Sequence, residues 1–166
     1  MLEVMYYLFA ITVFLCVTYF VLTYIFGMFF NNALPKITSK SFVSIIFIAI
    51  LSLAGYGIAY SMPDPIVANR FIHAFGGGFM AFLTCFLVIK DTKIKLNAFQ
   101  FFVFSLLIVT ALGVANEILE FFLQNYFGLA FSDYINDTWL DLISNTIGSL
   151  VGAVCLMPFG LYFFKR

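Results

Sequence analysis

The chain has 166 residues with eight basic and eight acidic side chains, and 64% of it is hydrophobic whereas 10% is charged. Soluble domains are about 45–50% apolar and about 25% charged, so a soluble globular enzyme, whose apolar surface would aggregate, is excluded, as is a disordered chain. No basic patch argues for nucleic acid, and the composition predicts an all-α, polytopic membrane helical bundle in a lipid bilayer, as a single domain over 1–166.

Five stretches are long and apolar enough to span a membrane, which takes about 20 residues. The predicted spans are 2–30, 42–61, 69–89, 97–123 and 137–164. We expect the first to be a retained membrane helix and not a signal peptide, because it is too long and has Glu3 in place of a basic leader. The aromatic, weakly polar segment 124–136 is expected to lie along the membrane interface.

The basic residues are distributed unevenly between the two sides of a five-span bundle. One side holds Lys36, Lys40, Lys90, Lys93, Lys95, Lys165 and Arg166, and the other holds Arg70. Because basic loops stay in the cytoplasm, we predict the N-terminus outside and the C-terminus in the cytoplasm. Except for Asp91, the acidic residues then fall outside or in the outer half of a span: Glu3, Asp64, Glu117, Glu120, Asp133, Asp137 and Asp141. A functional site that faces outwards would explain this clustering.

The third and fourth spans each contribute polar residues to this outer half. Arg70 and His73, the only histidine, lie one turn apart at the start of the third span, and the glycines at 76–78 predict a close packing seam. Glu117 and Glu120 share one face of the fourth span. Two like charges at this spacing repel unless a cation, a proton or a basic partner lies between them.

The fifth span begins with a polar stripe. Asp137, Asp141 and Asn145 follow one another at helical spacing, and Gly148 and Gly152 extend the stripe as small residues. Asp137 alone could cap the helix, but Asp141 and Asn145 must face protein or water, since lipid offers no partners. Short connections make the last three spans neighbours, so their polar residues are predicted to form one site.

Several kinds of chemistry could use such a site. The candidate catalytic residues are His73, Glu117, Glu120 and Asp141, and the candidate substrate-binding residues are Arg70, Asp137 and Asn145. The candidate metal ligands are Glu117, Glu120, Asp137 and Asp141. These oxygen ligands suit a divalent cation such as Mg²⁺, Ca²⁺ or Mn²⁺, and with the histidine the site could hold Zn²⁺. Alternatively, Arg70 and His73 neutralise the carboxylates in a buried network, or a histidine–carboxylate pair transfers protons.

Three segments resemble the VanZ-like family of small bacterial membrane proteins: 70–76 (RFIHAFG), 113–120 (GVANEILE) and 137–152, with its core at 141–152 (DLISNTIGSLVG). The resemblance covers about 69–152, and the run DTWLD at 137–141 is also similar to the YjdF-type inner-membrane family. The VanZ-like family is linked to resistance against the glycopeptide teicoplanin. The resemblance implies a multi-pass protein of the bacterial cytoplasmic (inner) membrane with a role in the cell envelope.

Three functions remain open at this stage. The chain could bind or process the headgroup of an envelope lipid or lipid-linked precursor at the outward-facing site. It could be a cation-coupled transporter, although the cytoplasmic halves of its spans are mainly apolar in sequence, whereas an ion path needs polar groups there too. It could also be a structural subunit whose partners are other membrane proteins.

Overall fold

The five predicted spans are present as five long helices in the computed structural model. The structure describes residues 2–31, 35–128 and 136–164, and the side chains of 12–30, 35–128 and 136–159. The helices are α1 Leu2–Asn31, α2 Ser39–Tyr60, α3 Pro65–Thr92, α4 Ala98–Phe127 and α5 Asp137–Phe164. Each has a stretch long and apolar enough to cross a membrane. The described chain is therefore all-helical, as the sequence predicts.

Helix α3 is the central element of the bundle. It packs against each of the other four helices, and 67% of its apolar span is buried, whereas no other span exceeds 39%. Every residue from Ala81 to Ile89 is buried, which is typical of a helix surrounded by protein. There the rings of Phe82 and Phe86 meet Phe101 of α4 edge to face, with centroids 5.3 and 6.0 Å apart.

The middle of α3 is a π-helical segment, His73–Met80, between α-helical Pro65–Ile72 and Ala81–Thr92. This segment packs mainly against α5, and its glycines permit the close approach. A Cβ at Gly78 would meet the backbone of α5 at Gly148, 2.7 Å from its Cα, and one at Gly148 would overlap the Ala74 carbonyl. The packing seam predicted at 76–78 is confirmed, but the π-helical geometry was not predicted.

Several helix ends differ from the predicted boundaries. Helix α3 begins at Pro65 and not near 69, because Asp64 caps it by accepting hydrogen bonds from the backbone of Ile66 (2.8 Å) and Val67 (3.3 Å). Helix α4 continues past 123 to Phe127, where Gly128 in the left-handed conformation ends it. The interfacial prediction for 124–136 is therefore wrong for its first four residues. Positions 129–135, which include Asp133, lie outside the described residues, as do Lys165 and Arg166.

Asp91 lies in the last turn of α3, although the sequence predicts it in a charged loop. Its carboxylate accepts hydrogen bonds from the hydroxyls of Tyr19 (2.7 Å) on α1 and Ser44 (2.6 Å) on α2. Beyond the middle of the same two helices, on the side away from Asp91, the hydroxyls of Thr12 and Ser52 are 3.1 Å apart. The predicted cytoplasmic half of the bundle is therefore not uniformly apolar, because hydroxyls and a carboxylate pair across α1, α2 and α3.

Candidate functional site

The structure brings all seven predicted site residues together at one end of the bundle. Helix α3 contributes Arg70 and His73, α4 contributes Glu117 and Glu120, and α5 contributes Asp137, Asp141 and Asn145. We call these seven residues the polar layer. They meet because α3 and α5 both begin at this end and α4 ends there. The glycine contacts between α3 and α5 keep the two helices close enough for their short polar side chains to touch.

Arg70 pairs with two of the four carboxylates. Its guanidinium forms ion pairs with Asp137 and Asp141, and it also donates to the Asp137 carbonyl oxygen at 3.3 Å. Asp141 is almost fully buried, with 1% of its surface exposed, and it accepts a further hydrogen bond from Asn69 (3.3 Å). A carboxylate buried in this way requires charged or hydrogen-bonded partners. The pairing shows that the charge of Arg70 is already compensated within the polar layer.

Asp141 also connects Arg70 to the histidine. Its second oxygen, Oδ2, lies 3.4 Å from His73 Nε2, on the side of the carboxylate away from Arg70. His73 is itself buried, with 9% of its surface exposed. A carboxylate beside one ring nitrogen favours one tautomer and one orientation of the imidazole. Asp141 therefore positions His73 as well as pairing with Arg70.

The two glutamates face the histidine and not the arginine. His73, Glu117 and Glu120 each offer a ligand atom, and these atoms lie within 4.8 Å of one another. Glu117 is buried, whereas Glu120 is partly exposed and accepts a hydrogen bond from Asn116 at 2.6 Å. In the part of the chain that the structure describes, no lysine or arginine forms an ion pair with either glutamate. We call His73, Glu117 and Glu120 the triad.

Two buried oxygens beside the triad have no hydrogen-bond partner among the described residues, Glu117 Oε1 and Asn145 Oδ1. The Asn145 side chain is held between the glycines of two helices, close to where Cβ atoms at Gly77 and Gly113 would lie. Buried polar atoms normally find a partner, and leaving one unpaired costs about 1–3 kcal/mol. The triad is therefore a place where protein groups alone leave acceptors unsatisfied.

The carboxylates that the sequence groups as metal ligands are thus divided into two pairs. Asp137 and Asp141 face Arg70, while Glu117 and Glu120 face His73. Sequence reasoning missed the supporting amide Asn116, although its i, i+4 spacing to Glu120 is a usable signal. It also missed Asn69, for which the sequence gives no signal, because its partner is on another helix.

Comparison with known families matches residues 3–160 to the family described as "Predicted membrane protein (DUF2238)". The chain belongs to this family. The matched region of this DUF2238 protein contains α2, α3 and α4 in full and every residue of the polar layer. Comparison with curated proteins and with solved structures gives no match.

Proposed function

We propose that this DUF2238 protein binds, and processes, the headgroup of an envelope lipid or lipid-linked precursor at the polar layer. The observation that carries the proposal is the triad, which contains two carboxylates that no arginine or lysine neutralises among the described residues. A cation, or an anionic headgroup bound through a cation, would balance this charge. His73, Glu117, Glu120 and Asp141 are the proposed acid–base residues, and Arg70, Asp137 and Asn145 are proposed to position the headgroup.

The depth of the triad suits a headgroup. Helix α4 has 30 residues, which is about 45 Å at 1.5 Å per residue, and a hydrocarbon core is about 30 Å thick. Glu120 lies seven residues before the end of α4, so it is about 10 Å from that end. If the helix is centred in the bilayer, Glu120 is close to the boundary between hydrocarbon and headgroups. The uneven distribution of basic residues supports an outer-leaflet location.

Sparse packing between the start of α3 and α4 would allow a lateral route from the bilayer to the triad. The first turns of α3, Pro65–Ile72, pack against α2 and α5, and packing between these turns and α4 is sparse among the described residues. On α4, Ile118 and Phe121 beside the glutamates are 63% and 64% exposed and would face lipid. A lipid could therefore present its headgroup between α3 and α4 while its acyl chains remain in the membrane.

The resemblance to VanZ-like proteins supports a role in the bacterial envelope and a location in the inner membrane. Three of the segments that carry it contain His73, Glu117 and Asp141, which all belong to the polar layer. The sequence resemblance and the side-chain geometry therefore point to the same part of the chain.

Native mass spectrometry of the detergent-solubilised protein tests the proposal with three probes: phosphatidylethanolamine, phosphatidylglycerol and undecaprenyl phosphate. We expect one probe to remain bound to the wild type and to bind at least about tenfold more weakly to Glu117→Gln and Asp141→Asn. The first removes a charge that would hold the headgroup through a cation, and the second removes the charge that orders Arg70, each interaction being worth about 1.5–3 kcal/mol. Asp64→Asn, which changes an exposed helix cap, is the matched control. Equal retention of every probe by all four proteins would refute headgroup binding at the polar layer.

A further inference from the structure

The triad has the composition of a transition-metal site. It offers one imidazole nitrogen and two carboxylate oxygens from two helices, with all three ligand atoms within 4.8 Å of one another. Metal–nitrogen and metal–oxygen bonds are about 2.0–2.2 Å long, so three ligands spread evenly around one ion are at most about 3.8 Å from one another. Side-chain adjustments of about 1 Å would bring all three atoms onto one ion.

The unpaired oxygens independently indicate a missing partner at this place. Glu117 Oε1 belongs to the triad, is shielded from solvent and has no hydrogen-bond donor among the described residues. Glu117 as a whole is 91% buried, since 9% of its surface is exposed. The Asn145 side chain lies within hydrogen-bonding reach of His73, and its buried Oδ1 has no hydrogen bond of regular geometry among the described residues. A bound cation would satisfy both oxygens and offset the charges of both glutamates, whereas a proton on Glu117 would offset only one of the two charges.

The surroundings of the triad match those of known kinds of metal site. Metal-ligating histidines usually have a carboxylate beside their other ring nitrogen, which orients the imidazole. Asp141 Oδ2, 3.4 Å from His73 Nε2, can fill that role, and Arg70 holds Asp141 in place. Arg70 also keeps Asp141 from competing as a ligand, because its ion pair occupies the other carboxylate oxygen. The residues that would bind the metal are therefore distinct from Asp141, which orients the imidazole of His73.

We infer that His73, Glu117 and Glu120 bind one divalent transition-metal ion, with the Asn145 amide oxygen close enough to contribute. Imidazole favours Zn²⁺ or Fe²⁺ over Mg²⁺ and Ca²⁺, and the two carboxylates without a thiolate also suit Mn²⁺. The inference deepens the proposed function and rests on it for the role of the site. A metal with open positions toward the gap between α3 and α4 would bind an anionic oxygen, so the substrate class it implies is a phosphate-bearing headgroup.

Electron paramagnetic resonance with Mn²⁺ as the probe tests this inference. The chain has one histidine, so in protein purified without a histidine tag, any imidazole-nitrogen coupling to bound Mn²⁺ comes from His73. We expect one saturable Mn²⁺ per wild-type chain with nitrogen coupling, and competition by Zn²⁺. The coupling should disappear in His73→Gln, and affinity should fall on the order of 100-fold or more in Glu117→Gln, which removes a direct ligand.

Two further variants make the test specific. Asp141→Asn should weaken Mn²⁺ binding by about 10–100-fold, as expected for a group that orients a ligand, while Asp64→Asn should leave it unchanged. Glu120→Gln replaces Glu117→Gln if the more buried position does not tolerate substitution. Mn²⁺ that binds without nitrogen coupling, or equally well to the wild type and the glutamate variants, would overturn the inference, as would no saturable binding at all.

The metal and headgroup experiments fail independently. If the wild type retains a lipid probe in a Glu117-dependent manner but binds no Mn²⁺, the metal inference is wrong and headgroup binding stands. If Mn²⁺ binds to the triad and no lipid probe depends on Glu117, the proposed function is wrong and the metal site stands.

Discussion

Replacing Gly148 with alanine should separate α3 from α5. A Cβ at Gly148 would overlap the carbonyl oxygen of Ala74 and lie 2.6 Å from its carbonyl carbon, whereas ordinary Cβ contacts are 3.4–4 Å. The obstacle is backbone and cannot rotate away, so the two helices must move apart by about 1.7 Å to restore an ordinary contact distance. A gap of that size forfeits at least about half of the dispersion energy of the affected contacts, and overpacking costs about 1–3 kcal/mol. We expect Gly148→Ala to lower the free energy of unfolding by about 3 kcal/mol, the upper end of this range.

The assay is unfolding of the purified protein in mixed micelles by sodium dodecyl sulfate, followed by far-ultraviolet circular dichroism and the fluorescence of Trp139, the single tryptophan. Gly57→Ala is the matched control, since nothing lies within 4 Å of its added Cβ. Alanine is the better helix former by about 1 kcal/mol, so this variant should be as stable as the wild type or slightly more so. If Gly148→Ala and Gly57→Ala unfold at the same detergent fraction, the close contact of α3 with α5 is refuted.

Three further predictions use the same protein. Arg70→Gln leaves its two buried aspartate partners without a counter-charge and should lower the free energy of unfolding by about 3–5 kcal/mol. Adding Asp141→Asn to this variant should recover part of the lost stability, and no recovery would contradict the ion pair. Tyr19→Phe removes the 2.7 Å hydrogen bond to its carboxylate partner and should cost about 0.5–1.5 kcal/mol in the same titration, so unchanged stability would argue against that contact. In a cysteine-free background, an impermeant maleimide should label Asp64→Cys in intact cells but Lys95→Cys only after permeabilisation, and the reverse pattern would invert the predicted orientation.

The sequence alone predicted the fold and the site correctly wherever a helix is regular and its residue pattern repeats. Hydropathy located all five spans because each must match the hydrocarbon thickness. The stripe of Asp137, Asp141 and Asn145 was predicted correctly because α5 is α-helical there, so residues four apart share a face. The burial of Asp141 and Asn145 follows from the lack of polar partners in lipid.

The division of the carboxylates depends on features that spacing does not encode. Which acidic residues face Arg70 and which face His73 depends on how α3 is rotated against α4 and α5, and the π-helical segment alters that rotation. The burial of Asp91 depends on hydroxyls from two other helices. Hydropathy assigns an aspartate to a loop unless such partners are known. The contacts of Asp91 could therefore be found only from the three-dimensional structure.

The π-helical segment His73–Met80 sets the rotational phase of the polar layer. An α-helix turns about 100° per residue, and a π turn accommodates roughly one residue more than an α turn. If this segment became α-helical with all its residues kept, Arg70 and His73 would rotate by about 100° relative to Phe82, and the guanidinium and imidazole would point away from Asp141. Deleting one glycine from 76–78 at the same time would restore their directions, because the α-helix would then lack the residue that the π turn accommodates. The π-helical geometry of this segment is therefore as decisive for the site as the identity of its charged side chains.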